Sequence, residues 1–135
     1  MLRFIIGAFI VLHGLVHLLY FGQSWRLFEL QPGMVWPEGS WAFSKLLGVE
    51  VTRQLASIFC VLAAIAFVAG GAGILLRQAR WRPAVVGAAA LSAVMYILFW
   101  DSGPQRLDDK GGVGLLINIA IQAAVLILRW PDFDF

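Results

Sequence analysis

Two histidines four residues apart, His13 and His17, stand inside an apolar run from Phe4 to Gly22. At about 100° per residue this spacing places both imidazoles on one helix face, in line with Ile6, Ile10, Tyr20 and Ser24. A run of this length crosses a hydrocarbon core of about 30 Å, where an ionisable side chain is costly unless something meets it. Two later runs repeat the device at the same spacing, with Ser92 and Tyr96 in one and Asn118 and Gln122 in the other.

Several chemistries fit such a pattern. A histidine pair at this spacing can hold one metal ion from a single helix face if a third ligand arrives from elsewhere. Asp101 is the acid nearest in depth, and the Glu of an H-E-x-x-H protease motif is missing. Both histidines cannot hold one haem iron, because they lie on the same side of the ring, and no other histidine exists to pair with either one. A polar-headed apolar molecule, such as a quinone or another lipid, is a second candidate. His13, His17, Tyr20, Tyr96, Asn118 and Gln122 offer hydrogen bonds to carbonyl and hydroxyl groups, and a neutral histidine can also move a proton. The third possibility is structural: the same side chains bond one another and fix helix register. There is no phosphate-binding glycine loop, since Gly70-Gly71-Ala72-Gly73 falls inside a span, and no serine–histidine–acid set.

The elements that position these groups follow from composition and punctuation. The chain has 135 residues, 61% of them hydrophobic and only 13% charged, with a mean hydropathy of +0.84. A soluble domain carries about 25% charged residues. The expected fold is therefore all-α, an integral membrane four-helix bundle forming one domain over residues 1–135. Its spans are expected at about 4–22, 54–76, 84–100 and 113–130. The first run lacks a clear small-x-small cleavage site and reads as an uncleaved span rather than a secretory signal.

Between the first two spans, Gln31-Pro32-Gly33 and Trp36-Pro37-Glu38-Gly39 carry turn chemistry. Ser40 is placed to cap a short interfacial helix over Trp41–Leu47, with Gly48 as its stop, and Thr52 to cap the second span. Small residues spaced three or four apart in the second span, Ala63, Ala66, Gly70 and Ala69, Gly73, predict close helix contact, expected against the third span. Pro83 suits the first turn of that span.

The loop holding Arg77, Arg80 and Arg82 has no acid, so it is expected on the cytoplasmic side, with both termini there as well. This makes the chain a multi-pass protein of the cell's inner (plasma) membrane. The net charge of +2 comes from arginines at span ends and gives no nucleic-acid surface. The single Cys60 excludes a disulfide or a CxxC redox pair. Uncompensated polar groups cost several kcal/mol each in hydrocarbon. The stripes are thus expected to converge on an interior polar pocket opening outward.

Arg3, Gly7, Phe9, His13-Gly14 and His17-Leu18 resemble the first span of the DoxX-like membrane proteins. That family carries an Arg, a Gly one turn later and then Gly-x-x-Lys-Leu near the outer end, and His17 stands here where the family has Lys. The resemblance covers about the first 20 residues, and the four-span layout is similar. It implies a four-helix membrane bundle associated with redox enzymes, since one branch of the family supplies a membrane subunit of a thiosulfate:quinone oxidoreductase. The function expected is an accessory or ligand-binding subunit for a quinone- or lipid-like molecule. Its expected partners are the lipid bilayer and a membrane redox protein or a second copy of itself. The alternatives are a purely structural subunit of a larger complex, or a metal-dependent enzyme or small transporter using His13 and His17.

Overall fold

The computed structural model describes residues 1–135. It contains helices and no strands: α1 (Leu2–Ser24), α2 (Ser44–Leu75), α3 (Trp81–Leu98) and α4 (Gly112–Gln122), the last continuing as a π-helical turn over Ala123–Ile127. The first three are long and apolar enough to cross a membrane. Their outward surfaces are apolar as well. Phe4, Ile5, Leu12, Ile58, Leu62 and Ile65 are each about half exposed, the inside-and-outside hydrophobicity of helices surrounded by lipid.

Each helix packs on its sequence neighbour: α1 on α2, α2 on α3, α3 on α4. The closest approach is between α1 and α2. A Cβ added at Gly14 would come within 2.6 Å of the Phe67 Cβ and 3.2 Å of the Ala64 carbonyl oxygen; one at Gly71 would lie 2.9 Å from the Gly7 carbonyl oxygen. Small residues let the backbones meet where no hydrophobic effect drives association between helices. The expected α2–α3 contact is also present, with Val85 seated against Gly70. The α1–α2 seam was not expected from the sequence, because its glycines stand alone in α1 rather than in a small-xxx-small series.

Two expected boundaries need correction. The surface helix over Trp41–Leu47 is not a separate element. Helix begins at Ser44 and continues into α2 across a break at Gly48, whose φ of 76° and ψ of 167° are open to glycine. Gly48 thus interrupts without ending. Thr52, expected as the cap of the second span, lies inside α2 and donates its hydroxyl back to the Gly48 carbonyl at 2.7 Å. Ser40, expected as the cap of the surface helix, accepts instead from the amides of Ala42 at 3.2 Å and Phe43 at 3.1 Å within the turn ahead of α2, whose N-cap Phe43 makes no side-chain cap bond.

The fourth apolar helix is shorter than expected, Gly112–Ile127 in place of 113–130. Its last turn widens to π geometry, with the Leu128 amide bonded to the Ala123 carbonyl at 3.0 Å. Arg129 then takes a left-handed φ of 51° and the chain turns back. Arg82 on α3 holds this tail, donating to the carbonyls of Arg129 at 3.2 Å and Pro131 at 2.9 Å. Phe133 packs on Trp81 with ring centroids 5.7 Å apart.

The long first connection is strapped to the far end of α3. Ser40 donates its hydroxyl to the Leu98 carbonyl, the Trp41 indole to the Ile97 carbonyl at 2.7 Å, and the Trp41 amide to the Trp100 carbonyl at 2.9 Å. These bonds satisfy carbonyls that a helix C-terminus leaves without intrahelical partners. The loop is thereby fixed over the α3 end of the molecule.

Candidate functional site

The expected polar face of α1 is buried as a unit: Ile10, His13, His17, Tyr20 and Ser24 all lie inside. Four side chains from three helices meet there. His17 Nδ1 lies 3.1 Å from the His13 carbonyl oxygen and 3.2 Å from that of Gly14. Both neighbours are acceptors only, so this nitrogen carries the proton and the neutral ring presents a lone pair at Nε2. The Ser92 hydroxyl, 2.6 Å away, donates to that lone pair. Ser92 Oγ in turn accepts from the Asn118 amide nitrogen at 2.7 Å. The Asn118 carbonyl oxygen then accepts from His13 Nε2 at 2.9 Å.

Every hydrogen in this chain is assigned by its neighbour, and the whole runs in one direction, from His13 through Asn118 and Ser92 to His17. It ties α1 to α3 and α4. One valence stays open. With its proton on Nε2, His13 has a lone pair on Nδ1 that no group of the protein meets, and this atom is not among the sealed, unpaired ones.

Aromatic rings enclose the network. Phe67 approaches His13 edge-on at 4.8 Å between centroids, and Phe9 stacks on it at 6.2 Å. On the loop side, His17 faces Tyr96 at 5.9 Å, Tyr96 meets Tyr20 at 5.3 Å, and Tyr20 meets the buried Trp36 at 5.1 Å. Tyr20 and Tyr96 therefore form a lid of rings over the network rather than part of it; neither hydroxyl bonds to it. A second polar clasp, Ser24 to Ser57 at 2.6 Å, joins α1 to α2 near the same end.

Two of the expected site residues stand apart. Gln122 is partly buried one turn beyond Asn118 and makes no hydrogen bond to the network. Asp101 lies at the loop end of α3, where its carboxylate pairs with Lys110 at 2.8 Å and accepts from the Gly103 amide at 2.9 Å. Partial burial works to raise the Asp101 carboxyl, but the Lys110 ammonium and the Gly103 amide outweigh it and hold the group below its ordinary value. No three His, Cys, Asp or Glu side chains are grouped to share an ion, so Asp101 does not complete a ligand set with His13 and His17. Ser92, which joins the two ends of the network, is the residue that sequence reasoning undervalued. Its signal was there, four residues before Tyr96 on the same helix face.

Cavities lie on either side of the network. An apolar crevice of about 290 Å³ runs between α1 and α4, lined by Phe9, Ile10, Trp81, Val85, Ile121 and Val125 among others. Phe9 and Ile10 are one helical turn from His13, and Ile121 one turn from Asn118, so the His13–Asn118 bond bridges the two helices at the crevice's network end. A larger groove of about 550 Å³ lies at the loop end, between Tyr96, Ile97 and Trp100 of the α3 terminus and Gly111 to Leu116 of α4.

Comparison with protein-family models, with curated proteins and with solved structures finds no match for this chain.

Proposed function

We propose that the protein is a four-span helical bundle of the plasma membrane, both termini cytoplasmic, that binds a quinone- or lipid-like molecule as an accessory subunit linked to a redox partner. The observation that carries this reading is the open valence on His13 Nδ1, one helical turn from Phe9 and Ile10 in the wall of a wholly apolar crevice. A crevice with aromatic walls suits a ring or chain, and a hydrogen-bonding atom one helical turn beyond it suits the head. The basic α2–α3 turn, with Arg77, Arg80 and Arg82, supports the cytoplasmic placement. The redox link rests on the resemblance of the first span alone.

The test is mass spectrometry of small molecules extracted from gently solubilised wild-type protein and from His13→Leu. A lipophilic molecule retained near one per chain by the wild type, and lost from the variant, is the expected result. Equal retention by both would refute the reading.

A second reading has its own support. Apart from one nitrogen, the network's polar groups satisfy one another, as expected of a lock in a structural subunit of a larger complex. Under that reading His13→Leu lowers stability and changes no ligand.

A further inference from the structure

The groove at the loop end of α3 and α4 is chemically unlike the crevice. Its floor and walls are apolar, with Ile97, Trp100, Leu107, Val113 and Leu116 prominent. Three polar features stand at its margin, while the lining itself is almost wholly apolar. The first is the start of α4, which has no side-chain cap and begins at Gly111 and Gly112; the amides of Val113 and Gly114 donate to nothing in the protein. Such an end attracts an anion through its free N–H groups and its dipole. The second is Tyr96, 97% buried by its 3% exposure, whose hydroxyl has no partner and lies over Gly114. The third is a pair of opposite charges at the rim, Asp108 and Lys110.

These charges are not equivalent. Lys110 already donates to Asp101 at 2.8 Å and to the Gly103 carbonyl at 3.2 Å, which leaves one of its three hydrogens. Asp108 is exposed and has no cationic partner. A ligand that fits all of this has an apolar chain, an anionic group for the α4 amides and the Tyr96 hydroxyl, and a hydrogen-bonding cation for Asp108.

We propose that this groove is a site for a glycerophospholipid with a primary ammonium head, its phosphate on the first turn of α4 and Tyr96, its ammonium on Asp108. One acyl chain lies along Leu107, Val113 and Leu116, with Trp100 at the interfacial level that tryptophan prefers. Asp108 supplies the selectivity. It repels a purely anionic head, and a quaternary ammonium has no N–H to donate to it.

The experiment is native mass spectrometry of the full chain from mixed micelles holding equal amounts of dioleoyl phosphatidylethanolamine, phosphatidylglycerol and phosphatidylcholine. The wild type is expected to retain the ethanolamine lipid at least about fivefold over each of the others. Asp108→Asn should bring that ratio close to one, and Tyr96→Phe should lower retention of all three. Asp108 is exposed and unpaired, so its variant folds as the wild type does, which a thermal melt checks. Equal retention of the three lipids by the wild type, or an unchanged preference in Asp108→Asn, overturns the proposal. The outcome is independent of the crevice, because His13→Leu leaves this groove untouched.

Discussion

Asn118→Leu is the sharpest probe of the intramembrane network. Asn118 is fully buried and sits between His13 and Ser92, at 2.9 and 2.7 Å. Leucine has the same branched heavy-atom skeleton and removes both bonds. Interhelical side-chain bonds in membranes average about 0.6 kcal/mol, so the pair is worth about 1.2 kcal/mol. The substitution also strands the proton on His13 Nε2, and an unsatisfied buried donor costs about 1 kcal/mol or more. The total is about 2 kcal/mol, a roughly thirtyfold shift in the folding equilibrium. Ser92 keeps its donation to His17, so the loss should go no further. The assay is reversible unfolding in detergent, run as a double-mutant cycle with His13→Leu. The double variant no longer carries a stranded donor and loses the shared bond only once, so it should be about 1.6 kcal/mol more stable than the sum of the single effects predicts. Additivity within about 0.4 kcal/mol, the level of independent sites, would show that the two side chains are not coupled and refute the hydrogen-bond chain.

Two further perturbations probe other levels of the fold. Gly14→Ala forces a Cβ against Phe67 and the Ala64 backbone; the α1–α2 seam should spread at a cost of about 1–3 kcal/mol, read as a lower melting temperature, whereas Gly87→Ala, which meets nothing within 4 Å, should not lower it. Asp101 is held below its ordinary value by Lys110 and the Gly103 amide, so its contribution is complete above the unfolded carboxylate value of 3.8 and fades as pH falls through the lower folded one. In melting curves between pH 6 and 2, a range taken to bracket that value, Asp101→Asn should lack part of the acid-limb loss, by less than about 1 kcal/mol because the pair is partly solvated; superimposable wild-type and variant acid limbs would refute it.

Much of this was legible in the sequence because a membrane span leaves few options for a polar side chain. His13, His17, Asn118 and Ser92 are rare groups in apolar runs, so helical spacing alone assigned each to an inward face, and the structure buries all four. The partners were less legible. Asn118 and Gln122 lie one turn apart on the same face, an offset that spacing leaves open, and His13 meets Asn118. That offset depends on where α4 starts and on how its last turn widens, and neither has a local signature. Gly48 reads as a stop in any one-dimensional scheme. It instead allows a left-handed residue inside a continuing helix: the strap from Ser40 and Trp41 to the α3 terminus fixes the chain before the break, and Thr52 bonds back to the Gly48 carbonyl after it. The grooves were invisible for a simpler reason: a cavity is the space left between elements, and no residue type encodes it.

The direction of the hydrogen-bond chain bears on which reading of His13 prevails. A lock has no reason to end in an open lone pair, since Gln122 stands one turn further along the same helix face with its amide free of the network. Leaving the lone pair open costs little only if something else donates there, or if the nitrogen reaches water or lipid head groups. The other end is closed twice over, by two backbone carbonyls that share one His17 proton. The two histidines therefore have different tasks despite their identical spacing on the face. His17 is pinned and serves the packing; His13 is anchored on one nitrogen and available on the other. A ligand search should accordingly follow His13 alone, with His17→Leu as the control that perturbs stability and leaves the open atom in place.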